Sequence, residues 1–352
     1  MWNKLPTSND SKAQGTKWWL AFRTYQSSVY RSAVGLVSCF CLISCSGTLH
    51  GQDSPEQGSV AQQAEAEPLQ AESLAKPAVQ AIATQILHRS LLESVWGKPT
   101  VCDVRQSIRM FGKTRSSFGK FVRAGQGSGR LRLSMQIPAG QQMNSLMQVS
   151  DGELLSTTVL VGQQSMRTQV DLGKVRERLP LTAGSLQDPV VAMYLAIGGQ
   201  AELLRNLCQQ YIWTQVTEGQ LGQQKVWWLT GQLNDKPATY HANALIDQRA
   251  FETQSSLKPN RATIAIGHAD SPMPFWLYQA EQWNTKAADD GTQFHVVTQW
   301  DSPVLLTADR LVADMFRLDT SDNQPFQEET KLYMPPIPKE MAMPISANPP
   351  LR

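Results

Sequence analysis

Three short patterns in this sequence hold residue types that can do chemistry, and each lacks a partner its reaction needs. Gly112-Lys113-Thr114 offers the ammonium and hydroxyl of a phosphate-binding loop, but Ser107 stands where the first glycine of that loop belongs. GQGSGR, residues 125 to 130, is rich in glycine, yet no helix follows to aim backbone amides at a phosphate, so it reads as a hairpin tip. Ser117-Phe118-Gly119-Lys120 fits S-x-x-K and Ser321-Asp322-Asn323 fits S-D-N, two elements of serine acylation. No K-T-G follows Ser321, and Ser117 sits in a strand-like run instead of at a helix start. His88, His241, His268 and His295 are scattered without the spacing of metal ligands. G-x-S-x-G, H-E-x-x-H and C-x-x-C are absent from the body of the chain. The expectation is a non-enzymatic protein with no metal and no cofactor.

Cysteine chemistry points elsewhere. Residues 36 to 47 read LVSCFCLISCSG, behind a leader whose cations end at Arg31. Residues 1 to 44 carry Lys4, Lys12, Lys17, Arg23 and Arg31 against Asp10, a net of +4; the whole chain carries +2, so the remainder carries −2. A basic leader followed by the short uncharged run Ser32 to Gly47 has the form of an export signal, too short to span a bilayer comfortably. Leu42-Ile43-Ser44-Cys45 resembles the lipobox of bacterial lipoproteins, which implies cleavage before Cys45 and diacylglycerol on its sulfur. Cleavage nearer Gly47 or Gly51 would discard Cys45, and an uncleaved anchor would keep the whole segment. Residues 1–45 are therefore expected as an export signal with a lipobox-like end. That places the protein on the periplasmic side of the cell envelope, held to a membrane through its N-terminal lipid. The mildly acidic remainder gives no electrostatic reason to expect nucleic acid. Cys39 and Cys41 leave with the signal, so Cys102 and Cys208 are the body cysteines. They either close one disulfide in an oxidising compartment or stay as buried thiols.

The elements that must position any site begin after residue 75. Residues 46–75 are dominated by Gln, Ala, Glu, Ser and Gly, cannot bury a core, and are expected as a disordered tether. Val79, Ile82, Ala83, Ile86, Leu87, Leu91 and Val95 recur at three- and four-residue spacing and predict a helix that Gly97 and Pro99 stop. The period then changes. In GRLRLSMQIP, Leu131, Leu133, Met135 and Ile137 alternate with polar residues, the mark of a half-buried strand. Similar runs fall at 101–111, 117–124, 144–150, 153–161 and 165–172, with Asp151-Gly152 as a strong hairpin signal. Gaps this short leave no room for crossover helices, so the strands form an antiparallel meander. A helical insert near 187–211 opens on Asp188-Pro189, and Gly198-Gly199 is expected to end its first helix. Further strands are expected at YIWTQVT, KVWWLTG, 261–267, 274–283, 293–300 and 314–318. The whole of 76–335 reads as one domain, with a proline-rich tail at 336–352.

Aromatic residues concentrate in the later strands. Adjacent Trp227 and Trp228 must point to opposite faces of their strand, so either a greasy ligand or ordinary packing covers both sides. A helix, then a meander with GSGRLRLSMQI, then SLMQVSDGELL, then a VDLGKVRERL segment, resembles the LolA/LolB-like superfamily of lipoprotein carriers. That resemblance covers about residues 75 to 335 and implies an α+β fold: a curved antiparallel sheet forming a half-open barrel covered by helices. It also implies an apolar cavity that binds lipid or an acylated protein. Leu131, Leu133, Met135, Ile137, Met147 and Val149, with Trp213 and Trp228, are expected to line that cavity or a filled core. A filled core would suit a non-catalytic interaction or envelope-sensor domain instead.

Overall fold

The computed structural model describes residues 76–110, 112–139, 142–179, 188–234, 259–285, 294–318 and 325–335. The leader with Cys45, the 46–75 segment, His241, Ser321-Asp322-Asn323 and the 336–352 tail lie outside the described residues.

Helix α1 (Lys76–Trp96) turns Ala83, Ile86, Leu87 and Leu91 into the core, as their spacing requires. Six strands follow: β1 (Thr100–Met110), β2 (Lys113–Arg123), β3 (Arg130–Ala139), β4 (Gln142–Asp151), β5 (Leu154–Val161) and β6 (Gln164–Asp171). Three helices interrupt the sheet: α2 (Leu172–Glu177), α3 (Pro189–Leu195) and α4 (Gly199–Gln210). The chain returns through β7 (Tyr211–Leu221), β8 (Gln224–Leu233), β9 (Arg261–Gly267), β10 (Leu277–Trp283) and β11 (His295–Leu305), and ends at β12 (Gln327–Glu328).

The twelve strands among the described residues form one sheet, in the order β12-β6-β5-β4-β3-β2-β1-β11-β10-β9-β8-β7. Every pairing is antiparallel except the two-residue β12, which lies parallel to β6. The sheet is curved and does not close; its ends are β7 and β12. Near its centre the β1–β11 pair joins the early meander to the late one. Arg105 Nε donates to Asp301 Oδ2 at 2.6 Å across that seam.

Register sorts the side chains into two faces. On β1, Val104, Gln106 and Ile108 sit opposite Trp300, Thr298 and Val296, and all six are buried. This inner face carries α1, α3 and α4, and α1 also packs on β7. Asp151-Gly152 makes the β4–β5 turn its sequence predicts: Gly152 has φ +102°, and Asp151 Oδ1 accepts from the amides of Glu153 and Leu154 at 2.8 and 2.9 Å.

Three local expectations need correction. Gly198-Gly199 does not end α3, which stops at Leu195; both glycines have positive φ and open α4. Residues 314–318 are no strand: Ala313–Phe316 is a 3-10 turn laid on the outside of β3 and β4. Met147 and Val149 pair with Ser134 and Arg132, so they face away from Leu131, Leu133, Met135 and Ile137. Under the turn, Val122, Val149 and Phe316 form a separate buried patch on the outer face, 6%, 2% and 3% exposed.

Candidate functional site

The glycine-rich 124–129 segment joins β2 to β3 and docks on the end of α1. Gln126 N donates to Gly97 O and Gly127 N to Val95 O, both at 3.0 Å, so the loop satisfies helix carbonyls that would otherwise lack partners. Gly127 has φ +67°, and a Cβ there would overlap the Trp96 ring. Glycine is needed for this seating.

Between that loop, the end of α1, α2 and the α3–α4 junction lies a cleft. Phe121, Leu131, Leu172, Val175 and Ile197 give it an apolar floor, while Arg123, Arg130 and Arg176 supply its charge. Its volume is about 40 Å³. A water needs roughly 10–15 Å³ of such room, so the cleft admits a few waters and not an acyl chain.

Arg123 is the buried cation of this site, its side chain 3% exposed. Its Nη2 donates to Glu93 Oε1 of α1 at 2.8 Å, and its Nη1 donates to Glu93 O. The guanidinium lies 4.9 Å from the Trp276 ring centroid. Burial pushes its pKa down and Glu93 pulls it back up. Its Nε is buried without a hydrogen-bond partner. Arg176 ties two hairpin tips together, donating to Gly152 O at 2.6 Å and Ser128 O at 3.3 Å, with Glu153 at 3.4 Å. Exposed Arg130 donates through Nε to Asp151 O at 3.0 Å.

The helical cover is stitched to the sheet by polar side chains. Gly199 N donates to Gln148 Oε1 of β4 at 3.0 Å, and Gln200 Nε2 donates to Leu277 O of β10 at 2.9 Å. Glu202 is 2% exposed and accepts from Gly198 N at 3.1 Å, Arg205 Nη2 at 3.2 Å and Tyr333 Oη at 3.2 Å. Burial raises its pKa, with Arg205 opposing. Burial likewise holds the Tyr333 phenol well above its usual value. The chain's 325–335 segment thus clasps the edge of β6 with β12 and α4 with Tyr333.

The residues expected from sequence divide. Leu131 lines the cleft, while Leu133, Met135 and Ile137 lie in the main core on the same face. Trp213 is 2% exposed in that core. Trp228 is half-buried over Gly219, and Trp227 lies 4.7 Å from the His268 ring. Met147 and Val149 belong to the outer patch, where Arg132 Nη2 reaches Met147 Sδ at 3.8 Å. Cys102 and Cys208 are free thiols, on β1 and α4, and burial raises the pKa of both. Ser117 is buried on the inner face and donates to Gln106 O at 3.4 Å, whereas Lys120 faces outward beside Asp103 at 3.7 Å. The S-x-x-K pair is split by the sheet. Among the described residues no group of three His, Cys, Asp or Glu side chains is placed to hold a metal.

Arg123, Arg176, Glu202 and Tyr333 were not legible as site residues. Each is an isolated charged or phenolic side chain whose burial comes from contacts far away in sequence.

No family model and no curated protein matches the chain. Solved structures do, 41 chains in all. A DUF1329 family protein from Desulfovibrio piger is 9% identical, covering 68% of this chain and 97% of its own, with a TM-score of 0.31. A LolA superfamily protein from Nitrosomonas europaea is 11% identical, with 67% and 97% covered and a TM-score of 0.27. MucB of Pseudomonas aeruginosa, in complex with MucA, is 10% identical, with 68% and 64% covered and a TM-score of 0.33.

Proposed function

We propose that this is an exported, envelope-located, non-catalytic protein that takes an acyl chain, of a lipid or a lipidated protein, between its sheet and its helical cover. The observation carrying this reading is the cleft: an apolar floor runs from it into the core that separates sheet from helices. At about 40 Å³ it is a mouth and not a chamber, so binding requires α3 and α4 to lift. Gly198 and Gly199, at φ +82° and +56°, supply the joint between those helices. Each methylene buried is worth about 0.8 kcal/mol, enough over a chain to offset parting the cover. Cys45, acylated, would hold the protein at the membrane, with 46–75 as its tether.

Uptake of a fluorescent fatty acid by the purified protein tests this reading. Saturable uptake supports it, and no uptake across the solubility range of the probe contradicts it.

A second reading is favoured by the filled interior. Leu87, Leu91, Leu204, Leu207 and Leu229 are each 1% exposed or less, as in a domain that binds proteins on its surface and never opens. Failure of all amphiphile binding would leave this reading standing.

A further inference from the structure

We infer that the cleft selects amphiphiles with an acidic headgroup, a carboxylate or a phosphate, held by Arg123, Arg130 and Arg176. This rests on the acyl-binding reading and specifies its ligand. Three arginines line one small apolar-floored opening, with the carboxylates of Glu93, Glu153 and Asp151 nearby.

The sharper pointer is Arg123. Its side chain is almost wholly buried, it lines the cleft, and its Nε proton has no acceptor. A buried donor left unpaired costs free energy, and an anionic oxygen entering the cleft would remove that cost. A neutral alcohol carries no charge to pair with the guanidiniums. Planar guanidinium forks suit carboxylate and phosphate oxygens in particular. An acidic head at the cleft would leave its chain over Phe121, Leu131 and Val175, pointing toward the core.

The test is a titration of the full chain with dodecanoate, dodecyl phosphate and dodecanol, each below its micelle concentration, and with inorganic phosphate. The expected result is that both anionic amphiphiles bind about tenfold or more tightly than dodecanol, an advantage of about 1.4 kcal/mol or more. That ratio should shrink as salt is raised. Arg130→Gln, at an exposed position, should reduce the ratio by a few-fold, and Arg176→Gln further, with the circular dichroism spectrum checking the fold. Dodecanol binding as tightly as the anions overturns headgroup selection while leaving the acyl reading intact. Binding of inorganic phosphate as tight as dodecyl phosphate assigns the cleft to free phosphate and overturns the amphiphile. Binding of none of the four overturns both readings.

Discussion

Arg123 of β2 and Glu93 of α1 form a single latch: Nη2 donates to Oε1 at 2.8 Å, and Nη1 donates to the Glu93 carbonyl. The arginine is buried and the carboxylate about a third exposed, so this pair fixes the helix to the sheet beside the cleft. Glu93→Gln is expected to lower unfolding free energy by about 1–3 kcal/mol, because it leaves a buried cation poorly paired. Adding Arg123→Met should recover much of that loss, since an apolar side chain needs no partner there. Urea denaturation of the single and double variants measures both effects.

Glu202 gives the fold a pH dependence whose sign follows from burial. Its folded pKa lies above the ordinary 4.5, so the native state holds its proton where the unfolded chain has lost it. The contribution is therefore fully present below 4.5 and is lost as pH rises through the folded value. Glu202→Gln should flatten that part of the stability curve. Urea midpoints across that interval, wild type against variant, would show it.

Gly199 is held at φ +56°, and a Cβ there would stand 2.7 Å from Phe121 Cε2. Gly199→Ala is expected to cost at least about 2 kcal/mol, from the left-handed backbone and from overpacking. A drop in Tm of several degrees reads that out. Lipid uptake should fall with it, since the joint between α3 and α4 is strained.

The outer patch should be separable from the ligand site. Phe316→Ala removes the ring covering Val149, and is expected to cost about 3 kcal/mol. Fatty-acid uptake by the folded protein should stay at the wild-type level. A parallel loss of uptake would show that the two faces are not independent.

The strands were legible because alternation is a local signal. In β3 every second residue from Leu131 to Ile137 is apolar, and all four are buried on one face. In β4 the signal is ambiguous: Leu146 is apolar at one parity, Met147 and Val149 at the other. The inner face there instead carries Asn144, Gln148 and Ser150, polar groups that meet partners from elsewhere, such as Gly199 N on Gln148. Local pattern also cannot show which strands meet. The β1–β11 seam pairs Arg105 with Asp301 across most of the domain, and only the folded chain brings them together. The cleft is hidden for the same reason, since Arg123, Arg176 and Ile197 come from three separate elements.

Native mass spectrometry of the protein purified from its own membrane tests the central claim most directly. The expected spectrum shows a mature mass that starts at an acylated Cys45, plus a non-covalent adduct of lipid mass that dissociates on activation. A lipid-free spectrum, from protein that also takes up no added fatty acid, would contradict it.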